Sequence, residues 1–219
     1  MGRHGEAARR ALLDAAEELF ATQGIDSVSN RRICVHAGNA NHSAVSYHFG
    51  GREAMLRELV ERHTQRTRVL RAEMMAALPA EPLIADLLRC LIQPVTQTLD
   101  GLPLPSWRAR FVLQARDVPA LATLVAEVAK ADSVVDEMVT AIAHQMSWLP
   151  GDVIRGRIWI LARMVVDVCA EYEAAIAAGK TDPQWAAFGG FLTDAAAGML
   201  SAPVTEPSSF SPASPGVLL

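Results

Sequence analysis

Residues 29–52 read SNRRICVHAGNANHSAVSYHFGGR, and their chemistry suits contact with a DNA duplex. Asn41, His42, Ser43, Ala44 and Ser46 crowd one short stretch where a plain surface helix would carry Glu, Lys and Leu. Reading base edges in the major groove takes side chains that donate and accept hydrogen bonds, and small ones that allow close approach. Ala44 suits a thymine methyl, Arg31 can reach a guanine and Arg32 a phosphate. Tyr47, His48 and Arg52 suit phosphate contacts, and Ser29 caps a helix whose N-terminal N–H groups can face the backbone. Arg3, Arg9 and Arg10 are candidates for an arm near the DNA. The alternative is a short polar linker between solvated helices, with His48 packed on the first of them.

The elements that position these residues follow from periodicity. Leu12, Ala15, Ala16, Leu19 and Phe20 recur at three- and four-residue steps, which predicts an amphipathic helix over 7–23 ended by a left-handed Gly24. Ser29 is a good N-cap for a helix over about 30–37, with Ile33, Val35 and Ala37 facing inward and Gly38 closing it. Asn39 to Asn41 form the turn. A third helix over about 42–48 turns Val45 and Phe49 inward, and Gly50-Gly51 breaks the chain before a long helix over about 52–78. Further helices are expected over about 82–99, 106–116, 118–148, 151–179 and 184–200, divided by Pro- and Gly-containing stretches. The last residues, 202–219, are rich in Pro and Ser and predict a disordered tail. The fold class is all-α: a helix-turn-helix domain over 1–51, a helical effector-binding and dimerisation domain over 52–201, and the tail.

Composition narrows the function. A formal net charge of −4 argues against a general polyanion binder. A local DNA footprint remains open: residues 1–52 hold six arginines against five acids, and Asp14, Glu17 and Glu18 are assigned to the outer side of the first helix. Cys34, Cys90 and Cys169 lie far apart without a CxxC pair, which predicts buried free thiols rather than a disulfide framework or a zinc site. The N-terminus lacks an apolar signal core, and the apolar run over 158–170 is too short to span a bilayer. A soluble, cytoplasmic protein with no membrane partner is expected. GxSxG, P-loop, GxGxxG and HExxH motifs are absent, the six histidines lack metal-ligand spacing, and the pairs Glu17/Glu18 and Glu171/Glu173 read as solvated faces. No enzyme, metal or cofactor is expected.

Three segments together resemble the TetR family of bacterial transcriptional regulators: AARRALLDAAEELFATQG, RRICVHAG and YHFGGREAML. They cover about residues 7–60 in that family's order and spacing. The stretch NANHSAVSYH is one residue longer than the family's commonest turn and is similar to a recurring variant with an Asn-rich turn. Ser46 stands where many members carry a phosphate-binding Tyr, and Tyr47 follows it. The resemblance implies core roles for Phe20 and Ile33 and a ligand-binding and dimerisation domain after residue 52. It also implies a dimer face on the last two helices.

In the last helix Trp185, Phe188, Phe191, Leu192 and Met199 would supply interface area, and the small residues of QWAAFGGFLTDAAAGML would permit close approach. Ordinary packing within one chain is the alternative. A dimer also follows from the DNA side, because one short helix reads too few bases and a palindrome doubles the contacts. For a ligand pocket, WRARFVLQAR places Trp107, Arg110, Phe111 and Gln114 on one helical face. Gln93 and Gln97 share a face of the preceding helix, and Arg163 and Asp167 stand four apart. The latter two equally suit an i,i+4 ion pair at a helix surface. Met74, Met75, Met138, Met146 and Met164 suit either an adaptable pocket or core filling. The expected function is a homodimeric regulator, a repressor released from a near-palindromic double-stranded operator by a small apolar or amphipathic effector. The rival is a helical small-molecule-binding protein or enzyme that has lost DNA binding.

Overall fold

The computed structural model describes residues 3–118, 121 and 133–205. Among these the chain is helical and shows no strand: α1 (Arg3–Gln23), α2 (Asn30–His36), α3 (Ala44–Phe49), α4 (Arg52–Ala76), α5 (Ile84–Asp100), α6 (Arg108–Asp117), α7 (Ser133–Gln145), α8 (Gly151–Ala177) and α9 (Trp185–Ser201). Part of the helix expected over 118–148, and the expected tail from residue 206 onward, lie outside the described residues.

The head forms because α1 carries an apolar stripe and its neighbours are too short to bury theirs alone. Leu12, Ala16, Leu19 and Phe20 close on Val28, Ile33, Cys34 and Val45, and on Met55, Leu56, Leu59 and Val60 of α4. Gly24, at φ +82°, ends α1 in the left-handed conformation expected of it. The inner face of α2 differs from the expected one. Cys34 is fully buried beside Ile33, whereas Val35 is 60% exposed. At about 100° per residue Ile33, Cys34 and Ala37 share a face, and Val35 lies about 200° from Ile33.

The head's core does not stop at residue 51. Phe111, Ala115 and Leu121 belong to the same apolar cluster as Phe20 and Leu59. The Phe20 and Phe111 rings stack at 6.2 Å, so α6 is clamped against α1. The opposite side of α6, through Ala109, joins a second cluster formed by α5, α7, α8 and α9. One helix thus touches both cores.

In the second cluster α5 and α9 pack most closely, and glycine is the reason. A Cβ on Gly189 would stand 2.4 Å from Thr96 Oγ1 and 3.3 Å from Thr96 Cβ, while one on Gly190 would meet nothing within 4 Å. Overpacking costs about 1–3 kcal/mol, whereas Gly to Ala in a helix gains about 1 kcal/mol. Gly190→Ala should therefore raise the thermal midpoint and Gly189→Ala should leave it unchanged or lower. Equal midpoints for the two variants would contradict this close approach.

Candidate functional site

The turn between α2 and α3 is built by asparagines. Asn39 Oδ1 accepts from the Asn41 N–H at 2.9 Å, and Asn41 Oδ1 from the Ser43 N–H at 2.9 Å. These are successive Asx turns, in which a short carbonyl side chain substitutes for a backbone acceptor. They follow Gly38 at φ +67° and bring the chain into α3. Ser29 caps α2, its hydroxyl accepting from the Arg32 N–H at 3.2 Å. Gly50 and Gly51, at φ +82° and +145°, make the break before α4 that a side chain would strain.

Arg31, Arg32, Asn41, His42, Ser43, Ser46 and Tyr47 share this surface and are exposed, Tyr47 by 78%. Ala44 is not among them. At 1% exposure it packs in the head core and cannot meet a thymine methyl. His48 is half-buried; its carbonyl accepts from Arg9. Arg52, expected at a phosphate, instead donates to the Ile25 carbonyl and to Asn30 Oδ1, and lies 4.9 Å over the Phe20 ring. Arg9 is no arm either. It pairs with both carboxylate oxygens of Glu58 and lies 4.4 Å from the Phe49 ring centroid. Two arginines that looked free to meet DNA hold α1, α3 and α4 in register, and Arg10 stays exposed.

Residues 12–59 match the tetR family of bacterial regulatory proteins. The head, from α1 into α4, is thus a TetR-type helix-turn-helix DNA-binding domain, and the protein is a TetR-like transcriptional regulator. Among curated proteins none matches the sequence. Two solved structures are similar to it along most of their length. One is the multidrug binding protein EbrR complexed with imidazole, at 18% identity and a TM-score of 0.48, covering 94% of this chain and 96% of that one. The other is a protein from Mesorhizobium loti described as a TetR-family transcriptional regulator, at 18% identity and 0.48, covering 91% and 97%.

Behind the head, the chain encloses a cavity of about 80 Å³ bounded by α4, α5, α6, α7 and α8. Of the residues expected at a pocket, Phe111 alone lines it. Gln97 is exposed, and Trp107 lines a separate cleft between the head and the α5–α6 loop. Gln114 faces Gly24, its Oε1 3.6 Å from where a Cβ there would stand. Arg110 lies 4.4 Å over the Trp107 ring and donates to Glu173 Oε2 at 3.2 Å. Arg163 and Asp167 do not pair: Asp167 accepts from Arg116 at 2.8 Å, and Arg163 lies over Trp159 at 5.7 Å. Helical spacing permitted the i,i+4 pair, but α6 brings Arg116 to the same carboxylate. The five methionines considered line no part of the cavity; Met138 and Met146 are fully buried in the second cluster.

Glu17 and Glu173, read as solvated, are 7% and 1% exposed. Glu17 faces His63 and Arg108, which do line the cavity; its carboxylate is 3.9 Å from His63 Nε2 and 3.7 Å from Arg108 Nε. Burial, reinforced by Arg108 and Arg62, holds His63 well below its ordinary 6.5, so the ring is neutral and the Glu17 contact is no ion pair. Burial raises the Glu17 carboxyl, with Arg108 opposing, and lowers Arg108, with Glu17 opposing. The same effect lifts the Cys169 thiol to about 12. All three cysteines are buried and unbridged.

Unfolded, His63 takes up a proton below about 6.5; folded, it resists until a lower pH, so acid favours the unfolded chain by up to about 1.4 kcal/mol per pH unit for this group. Glu17 acts oppositely, because its folded carboxyl holds a proton at a higher pH than the unfolded one. The thermal midpoint should fall between pH 7 and pH 5, and His63→Leu should flatten that fall. An identical fall in the variant would show that His63 is not its source.

Proposed function

We propose that the protein is a homodimeric repressor that leaves a near-palindromic operator when a small apolar or amphipathic effector enters the cavity behind its heads. The observation that carries this is the sharing of α4 and α6. Both helices wall the cavity through His63 and Phe111, and both pack into the head core through Leu59, Val60, Phe111 and Ala115. A ligand that displaces either helix must move the head with it. The effector has to favour the DNA-incompetent arrangement, since equal binding to both shifts nothing.

On the DNA, Arg31, His42, Ser43, Ser46 and Tyr47 are the contact residues the exposure pattern supports, with Arg32 on a phosphate. Asn41 and Ser29 mainly hold the turn and the cap. Dimerisation is supported by the outer side of α9, where Ala187, Phe191, Ala195 and Gly198 are exposed at three- and four-residue steps, Phe191 by 65%. Trp185 and Leu192 do not reach that side. Both are buried in their own chain, and Trp185 and Phe188 pack on Tyr172 at 4.9 and 4.3 Å. Met199 and Phe188 are partly buried against the same cluster. No described helix is long and apolar enough to cross a membrane, and an operator as partner supports a cytoplasmic location. This mechanism needs no reaction, metal or cofactor.

Gel-shift and footprinting on the DNA flanking its own gene test the proposal. A salt-sensitive shift with footprints on successive major grooves is expected. A failure of every upstream fragment to shift would sink it.

A further inference from the structure

The cavity's polar chemistry is one-sided. Among the described residues His63, Arg68, Arg71 and Arg108 line it and no Asp or Glu does. Its other polar groups are threonine hydroxyls already engaged by backbone carbonyls, with Thr67 and Thr98 also bonded to each other at 3.1 Å. The remaining wall is aliphatic and aromatic, from Leu91, Ile92, Phe111, Leu161 and Val165.

His63 and Arg108 are 6% and 8% exposed, and both His63 ring nitrogens and Arg108 Nε are buried without a hydrogen-bond partner among the described residues. Their nearest acid, Glu17, stands 3.9 and 3.7 Å away, beyond the hydrogen-bonding range of about 2.7–3.2 Å. A buried donor left unmet is costly, so the site holds an unused capacity to bind an acceptor, and the Arg108 guanidinium selects a negative one. The apolar wall demands that the rest of such a ligand be hydrocarbon. A single charge suits the enclosure, because every further charge adds desolvation cost.

We propose that the cavity binds an apolar monocarboxylic acid, its carboxylate taken by Arg108 and His63 in competition with Glu17. This rests on the effector-release reading above and names the ligand's class and its route to the head. Glu17 belongs to α1 and Arg108 to α6, and their contact is one of the links between head and cavity. A ligand carboxylate at Arg108 takes that partner from Glu17 and loosens α1 from α6.

The test uses the full chain, calorimetry, and DNA-binding anisotropy on an upstream fragment that the protein shifts. The probes are straight-chain acids from hexanoate to dodecanoate with their matched alcohols and amines. At least one acid should bind about tenfold or more tighter than its alcohol, with the amine weaker still. Arg108→Gln should erase the preference for acid over alcohol, whereas Glu17→Gln should keep or strengthen acid binding and reduce its effect on DNA affinity. Should Arg108→Gln fail to fold, the comparison of acid, alcohol and amine on the unaltered protein still decides. Alcohols or amines that bind as tightly as the acids would overturn the anion site, as would no binding by any acid. If such alcohols also release DNA, effector release stands and only the ligand class falls. Acids that bind through Arg108 and leave DNA affinity unchanged would confirm the anion site and overturn the release mechanism.

Discussion

Glu173→Ala should cost about 3–5 kcal/mol, the range seen when one partner of a buried, hydrogen-bonded charge is removed. Glu173 lies in α8, yet its carboxylate does the work of an N-cap for α6. It accepts from the Ala109 and Arg110 N–H groups at 3.1 and 3.0 Å, from Ser106 Oγ at 2.8 Å and from Arg110 Nε at 3.2 Å. The first N–H groups of a helix have no partner within it, and Trp107, at the cap position of α6, offers no side-chain acceptor. The negative charge also meets the positive end of the helix dipole. Truncation leaves these donors buried without an acceptor, and α6 links the two cores. For a chain of this size each kcal/mol moves the midpoint by about 2–4 °C, so a fall of about 10 °C is expected by thermal melting. Glu173→Gln should fall between wild type and Ala, because its NH₂ group faces donors where an oxygen had accepted. A midpoint within about 2 °C of wild type for the Ala variant would contradict the capping role.

Neither Glu173 nor Glu17 announced itself in the sequence, and the reason is physical. Periodicity reports which face of a helix is apolar, and it served well wherever one element met one core. The bounds of α4, α8 and α9 fall within two residues of those expected, and Gly24 and Gly38 end their helices as read. A buried charge is legible only through its partner. Those of Glu173 lie 63 to 67 residues away, and that of Arg9 lies 49 away. Arg9 and Arg52 look like free cations in the sequence because Glu58 and the Ile25 carbonyl reach them only after folding. One signal does stand in the sequence. His63, Thr67 and Arg71 recur at four-residue steps along α4, a buried polar stripe that continues the apolar row of Met55 and Leu59. Such a stripe faces either another polar element or a cavity, and here it faces a cavity.

Replacing Arg31 and Tyr47 together by Ala should reduce operator affinity by more than about 100-fold while leaving the fold intact. Both side chains are exposed, and the Tyr47 ring meets the His48 ring edge-on at 4.9 Å. Surface substitutions away from caps and buried pairs usually change stability by less than about 0.5 kcal/mol. In the proposed complex the same side chains supply one contact to a base edge and one to the backbone, each worth about 1–3 kcal/mol when lost. A dimer presents each contact twice, so losses add across two half-sites and the fold-changes multiply. On a protein of net charge −4 there is little bulk attraction to compensate. Arg52→Ala makes the informative contrast. Its guanidinium is spent on Ile25 and Asn30, so any loss of DNA binding should come with a lower melting midpoint. Anisotropy titrations beside thermal melts separate the two classes: Arg31/Tyr47 should move binding alone, and Arg52 should move both. Unchanged affinity in the double variant would remove α3 from the interface and require a different surface of the head to meet the operator.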